Sequence, residues 1–299
     1  MKFRSRLEKL PGPSAVAIGN FDGFHAGHKT IIETLHKTAR HEKLLAVVLT
    51  FHPHPRLYFN HPIQLISTDR QRRETLSRQQ PDYLFFIDFG IVVALPAREF
   101  VRDLLLNTLR MKVLVVGEDF RFGRNREGDL AHLHREATTA HFKIIQSATV
   151  KIDGCRVASS LIRKKLAAGA VREANHMLEK PYYIDGIVER GAGRGKKLGF
   201  PTINIATKNQ ILPSGVFHTL AEIGKRQFAS VTNIGFAPTF HIVAAVPQKI
   251  ETHIPGFQRT VYGKRIRLFF IDKIREEKEF TSVQDLVEQI RQDIAFLGI

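Results

Sequence analysis

The chain has 299 residues, 43% of them hydrophobic and 25% charged, a globular composition with room for two cores. No run of about 18 apolar residues occurs, and no apolar stretch of signal length follows the basic start Met1-Lys2-Phe3-Arg4-Ser5-Arg6, so neither a membrane span nor an export signal is expected. One cysteine, Cys155, excludes an internal disulfide and fits a cytoplasmic location, while a net charge of +16 calls for anionic partners, nucleotides or nucleic acid alike.

The basic residues are spread along the chain, and no helix-turn-helix, zinc-knuckle or RNA-binding aromatic signature accompanies them. Nucleic acid is therefore not the expected partner. The densest cluster, Arg70 to Arg78, reads as the solvated face of a helix. Ala15 to Ile18 is a short apolar run of the kind that makes a buried parallel strand. Asp22-Gly23 breaks it as a turn, and Ile31, Ile32 and Leu35 mark the buried face of a following helix. His25 and His28 thus fall near a helix N-terminus, whose unpaired N–H groups and partial positive charge suit a phosphate. Gly23 and Gly27 leave room for a ligand to approach the backbone. Two histidines at a helix start are often polar surface, and histidine also ligates metals. The surrounding glycines and aspartate, between strand and helix, favour phosphate.

Leu44 to Phe51 is a second strand, followed by the rigid loop His52-Pro53-His54-Pro55. A loop at the carboxyl end of a parallel strand is where α/β folds place ligands. Thr68 to Gln79 is expected to be helical, Tyr83 to Asp88 a strand, Ala97 to Leu109 a helix with Phe100, Leu104 and Leu105 on one face, and Lys112 to Gly117 a fourth strand. The alternation predicts a parallel sheet flanked by helices. The loop Gly117 to Asp129 is either surface padding or a binding loop, and its place after a strand favours binding. Phe142 to Ile145 is a fifth strand, and Ala158 to Leu166 a helix with Ser159 or Ser160 as N-cap and Gly169 near its end. Arg163 on it either faces solvent or reaches the phosphates of His25 and His28.

The pattern changes at Lys180-Pro181, giving domains 1–180 and 181–299. Short strands at 183–188, 216–223, 227–234, 249–253 and 265–271 predict a small antiparallel barrel. A final amphipathic helix, Ser282 to Phe296, carries Val283, Leu286, Val287, Ile290 and Ile294 on its apolar face. The turn Gly191 to Gly199 is glycine-rich but is no P-loop, since no Gly-Lys-Ser/Thr ends it. Its basic residues make phosphate a natural ligand. Thr202 and Asn204 alternate on an extended segment, face the same way and suit a hydrated Mg²⁺. Glu251, an acid in an apolar strand, is either paired or a general base.

Together these residues resemble the bifunctional bacterial riboflavin kinase/FMN adenylyltransferases, or FAD synthetases, over almost the whole chain. Gly19 to His28 is similar to the G-x-F-D-G-x-H-x-G-H motif of nucleotidyltransferases, Thr50 to Pro55 to T-F-x-P-H-P, Gly117 to Asp129 to G-x-D-F-x-F-G-x-x-x-x-G-D, and Ala158 to Arg163 to S-S-T-x-I-R. Gly193 to Asn204 is similar to the G-R-G-x-x-L-G-F-P-T-x-N of riboflavin kinases, and Leu212 to Phe217 and Thr232 to Phe240 to further family segments. Ala158, Leu161, Glu179-Lys180, Pro255 and Gly256 depart from the family pattern.

The resemblance implies a Rossmann-like nucleotidyltransferase domain before a small β-barrel kinase domain with a terminal helix. It implies riboflavin, FMN and ATP as substrates and Mg²⁺ as cofactor; it does not speak to oligomeric state. In the kinase, Glu251 would accept the proton of the attacking hydroxyl, Thr202 and Asn204 would hold Mg²⁺ and phosphates, and Gly193, Arg194 and Gly195 would cover them. In the adenylyltransferase, His25, His28 and Arg163 would stabilise charge on the reacting phosphates. Gly19, Phe21, Gly23, Asp119 and Ser160 would bind ATP, and Phe51, Pro53, His54 and Phe122 the flavin.

Overall fold

The computed structural model describes residues 1–235 and 248–298. Phe236 to Phe240 of the segment singled out above lie outside the described residues. The chain divides into two compact units, Met1–Ser159 and Ser160–Ile299.

The first unit is an α/β sheet. Its six strands are β1 (Lys2–Arg4), β2 (Ser14–Ile18), β3 (Leu45–His52), β4 (Tyr83–Asp88), β5 (Met111–Val116) and β6 (Lys143–Gln146). They lie in the order β1-β4-β3-β2-β5-β6, all parallel. The expected strands are all present. The edge strand β1 is an addition, since three residues with two charges give no periodicity to read. Helices α1 (Ala26–Glu42), α2 (Pro55–Tyr58), α3 (Asp69–Arg78), α4 (Phe89–Val93), α5 (Ala97–Glu99) and α6 (Leu130–Ala140) connect them.

Alternation along the strands builds two cores. Ala15, Ala17, Val48, Leu84 and Val115 meet Ile31, Ile32 and Leu35 of α1 and Leu76 of α3 on one face. Val16, Ile18, Leu49, Phe85, Leu114 and Val116 meet Phe100, Leu104, Leu105 and Leu133 on the other. The helix expected from Ala97 to Leu109 begins as α5 but continues as a π-helix over Phe100–Thr108. Its end shows the wider spacing: Leu109 N–H donates to Leu104 O at 3.0 Å.

Thr68 caps α3 through a full capping box with Gln71. The expectation that Arg70 to Arg78 is a solvated face fails at one position. Arg72 is 1% exposed, because its guanidinium finds two backbone carbonyls and a carboxylate inside the unit.

A two-stranded hairpin, β7 (Lys151–Ile152) with β8 (Cys155–Arg156), precedes helices α7 (Ser159–Ala167) and α8 (Val171–Leu178). The second unit then closes β9 (Tyr183–Glu189), β10 (Thr202–Thr207), β11 (Gly215–Ile223), β12 (Arg226–Gly235), β13 (Lys249–His253) and β14 (Arg265–Arg275) into an antiparallel barrel, in the order β10-β13-β12-β11-β14-β9. The short helix α9 (Arg194–Lys197) lies between β9 and β10, and α10 (Val283–Ala295) ends the chain. Helix α8 belongs with the barrel. Asn175 donates to Phe270 O at 2.8 Å and accepts from Tyr182 N–H at 2.6 Å, and Arg172 pairs with Asp272.

Phe217, Ile234, Ile250, Ile266, Leu268 and Phe270 fill the barrel. A buried row of hydroxyls crosses it: Thr219 bonds Ser230 at 2.8 Å and Thr232 at 2.7 Å, and Thr232 bonds Thr252 at 2.9 Å. On α10, Leu286, Val287, Ile290 and Ile294 are half-buried as expected. Val283 is not; it is 58% exposed, since it opens the helix next to its Ser282 cap. What α10 buries most deeply is Asp293, chelated by Arg275 at 2.7 and 2.9 Å.

Candidate active sites

In the first unit, β2 is followed in sequence by β3 on one side and has β5 on its other side. It is the topological switch point, where open α/β sheets bind ligands beyond the carboxyl ends of the strands. The loops after β3, β2 and β5 are the three that the sequence singled out.

After β2, the chain passes through Phe21 and Gly23, both at positive φ, to His25, the N-cap of α1. The His25 and His28 rings stack with centroids 3.7 Å apart and planes 17° apart. Phe21 meets His28 edge-on at 5.2 Å and packs beneath Gly19, where a Cβ would stand 3.0 Å from its ring. At Gly27 a Cβ would come within 3.3 Å of the His25 ring, so glycine there leaves the imidazole its place. Phe21 is itself buried and offers a ligand its backbone rather than its ring. Asp22 is turned inward, with its carboxylate accepting from the N–H groups of Ile66 and Ser67 at 3.1 and 3.0 Å. It ties the loop down.

Near the end of β3, Phe51 is buried against Phe89; beyond it Pro53 is half-buried, and His54 caps α2 by accepting from Arg56 N–H at 3.2 Å. Arg72 reaches both segments from α3. It donates to Asn20 O at 3.0 Å and to Phe51 O at 2.5 Å, lies over the Phe86 ring at 4.9 Å, and faces Asp69 at 3.4 Å. Burial pushes its pKa below the ordinary arginine value, while Asp69 and Asp22 pull it back up. Asp69 also pairs with His52. Nothing in a basic run distinguishes Arg72 beforehand, except its place four residues after the cap Thr68, on the inward side with Leu76.

After β5, Asp119 is exposed and pairs with Arg156 at 3.3 Å. Phe122, expected on the flavin side, is buried like Phe51 and His54, enclosed by Phe100, Phe120 and His132, with Gly128 pressed on its ring. Half-buried Phe120 stacks on it at 5.6 Å. Asp129 caps α6, and the His132 backbone N–H holds its carboxyl below the usual range. The hydroxyl that meets the motif is Ser159, donating to Asp22 O at 2.9 Å, rather than Ser160, which is exposed. Arg163 is half-buried on α7.

In the second unit the outer faces of three adjacent strands form one row. Asn204 on β10 faces Glu251 on β13, which faces Asn233 on β12. Thr202 faces His253 in the next row. The glycine-rich turn lies against these residues: a Cβ on Gly191 would stand 2.1 Å from Asn204 Nδ2, and one on Gly195 3.3 Å from Thr202 Oγ1. Gly193 sits in the left-handed region and opens α9, while Arg194 is exposed. Asn233 was not anticipated, although it stands in a quoted segment; its Oδ1 is buried and has no hydrogen-bond partner among the described residues. Thr202, Asn204 and one carboxylate are hard oxygen donors, a set that suits Mg²⁺ arriving with a nucleotide's phosphates. Among the described residues no group of three or more His, Cys, Asp or Glu could hold a metal alone.

Comparison with known proteins agrees with this division. A family model described as FAD synthetase matches residues 7–161, and one described as riboflavin kinase matches residues 178–297. The bifunctional riboflavin kinase/FMN adenylyltransferase of Escherichia coli strain K12 is 34% identical over 96% of this chain and 93% of its own, and that of Bacillus subtilis strain 168 is 32% identical over 96% and 92%. A solved chain described as a macrolide-efflux protein from Streptococcus pneumoniae superposes with a TM-score of 0.85 at 27% identity, covering 96% of this chain and 94% of that one. Its name speaks of efflux; among the described residues no helix here is long and apolar enough to cross a membrane. With both family models side by side and relatives alike over nearly their full length, the chain belongs to the bifunctional riboflavin kinase/FMN adenylyltransferase family.

Proposed function

We propose that the chain makes FAD from riboflavin in two ATP-dependent steps, one in each unit. In the barrel, the terminal ribityl hydroxyl of riboflavin attacks the γ-phosphorus of ATP, ADP leaves, and the hydroxyl proton passes to a Glu251 carboxylate oxygen. Asn204 and Asn233 stand across from Glu251 on the two neighbouring strands. Thr202 and Asn204 would hold Mg²⁺, which when bound neutralises phosphate charge. The turn bearing Gly193, Arg194 and Gly195 closes over the nucleotide; phosphoryl transfer asks chiefly for such positioning and charge stabilisation.

In the α/β unit, an FMN phosphate oxygen attacks the α-phosphorus of a second ATP and pyrophosphate leaves. FMN is already a nucleophile and needs no base. His25 and His28 donate to the phosphate oxygens as charge builds, beside the N–H groups opening α1. Gly19, Phe21 and Gly23 line the approach with backbone, Asp119 orients the nucleotide, and Phe51, Pro53, His54 and Phe122 shape the flavin side. Ser160 and Arg163 are assigned to this reaction by resemblance alone.

The observation that carries the reading is the His25–His28 pair at the start of α1 at the sheet's switch point, on the same chain as a Glu251 flanked by amides. We place the division of activities at 1–180 and 181–299, and the reaction in the cytoplasm, where exposed Cys155 stays reduced. Incubation with riboflavin, ATP and Mg²⁺, followed by chromatography, should give FMN and then FAD; riboflavin left unchanged would overturn the reading.

A further inference from the structure

Buried cations are costly, and an isolated guanidinium in a core is tolerated only when its donors and its charge are met. Arg72 is met at its two terminal nitrogens, while its Nε has no hydrogen-bond partner among the described residues. It does not pair with one carboxylate alone; its two terminal nitrogens go to two carbonyls far apart in sequence, Asn20 O in the loop after β2 and Phe51 O near the carboxyl end of β3, which leads into the loop of His54. Thr50 Oγ1 also reaches Asn20 O, at 3.4 Å. Asp69, one turn earlier on α3, holds the guanidinium on one side and His52 on the other. Asp22 receives the N–H groups just before α3. The first turn of α3 is thus bonded to the loop after β2 and to the carboxyl end of β3, yet it carries none of the residues assigned to substrates.

A guanidinium is planar and its fork is rigid. Two carbonyls bonded to its two arms are held at a fixed separation, and so are the segments that own them. Asn20 lies five residues before His25, and Phe51 three before His54. From this, and resting on the adenylyl-transfer reading above, we infer that Arg72, anchored by Asp69, is a positioning residue for FAD formation. It sets the loop leading to His25 and His28 against the loop Phe51 to His54, and so sets the phosphate-binding imidazoles against the flavin side.

Displacement of reacting groups by about 1 Å can cost about 10²-fold in rate, so the effect should appear in turnover. Arg72→Met keeps the bulk and removes the donor shared by both carbonyls and the cation beside Asp69; Arg72→Lys keeps the charge but cannot bridge both carbonyls. Both are assayed on the full chain, well below the melting temperature, with the folded fraction fixed by circular dichroism. The kcat for FMN to FAD should fall about 10²-fold in Arg72→Met and about tenfold in Arg72→Lys. Riboflavin phosphorylation by the same preparations should stay within about twofold of the parent, which normalises for active protein. A purely structural arginine would lower the melting temperature and leave kcat per folded molecule unchanged, and that result in Arg72→Lys would overturn the inference. Should Arg72→Met fail to fold, Asp69→Asn, which keeps Arg72 but releases its anchor and His52, should still lower FAD turnover several-fold; parental turnover there overturns it equally. A parent chain that forms no FAD at all would instead sink the adenylyl-transfer reading.

Discussion

Asn204 of β10 stands directly across from Glu251 of β13, and the backbone of Gly191 lies so close to the amide that a methyl group would overlap it. Amide, carboxylate and glycine turn are one arrangement, and each part can be removed separately. Glu251→Gln keeps the shape and removes the proton acceptor. Riboflavin phosphorylation should fall by about 10²-fold or more, while FAD formation from supplied FMN continues. A Glu251→Gln enzyme with parental kinase turnover would move the base elsewhere.

Gly191→Val tests the turn. Its side chain must displace Asn204 or lift the turn, so kinase activity should drop at least about tenfold with the melting temperature little changed. The absence of tryptophan makes flavin fluorescence a clean monitor of whether riboflavin still binds.

His28→Ala removes one donor of the stacked pair. Loss of a preorganised donor to developing phosphate charge costs about 10²–10³-fold, so FAD formation should fall by that order. Riboflavin phosphorylation should be untouched.

Asp293→Ala leaves half-buried Arg275 without its carboxylate and frees the Gln289 amide that also bonds there. Breaking such a pair costs about 3–5 kcal/mol. Denaturant unfolding of the barrel unit should show it, and Asp293→Leu with Arg275→Met should recover part of the loss.

His218, on the outside of β11 opposite Asp272, has its pKa lowered, chiefly by burial and against the pull of that aspartate. Arg172 shares Asp272. The folded state favours neutral imidazole, so the contribution is complete above the unfolded value of about 6.5 and is lost as pH falls through it toward the lower folded value. The melting temperature of the barrel unit should decline between about pH 7 and 5, and less steeply in His218→Gln.

Much of this architecture was legible in the sequence. Apolar runs alternating with helical spacings gave the parallel sheet, short strands between turns gave the barrel, and Gly19 to His28 could be placed between a strand and a helix before any coordinates. What escaped was decided by distant partners. Arg72 reads as one more cation in a polar run, and only the carbonyls of Asn20 and Phe51, far along the chain, draw it inside. Phe122 and Phe120 are equivalent on paper; the packing of Gly128 decides which ring is closed off. Asn233 gains meaning only when β12 comes alongside β13. Helix α8 precedes the change of pattern at Pro181 yet packs with the barrel through Asn175, so a fragment starting at 160 should be better behaved than one starting at 181.

The row of hydroxyls through the barrel has a bearing on chemistry outside it. Thr252 is the inward neighbour of Glu251, and its oxygen is claimed by Thr232 and, through it, by Thr219 and Ser230. Were β13 to slide by one position, Glu251 would enter the interior and Thr252 would leave it, breaking the Thr232–Thr252 bond that ends the row. The inside of the barrel thus acts as a keyway: it admits the strand in one alignment only, and the outward carboxylate inherits its coordinates from threonines that never meet a substrate.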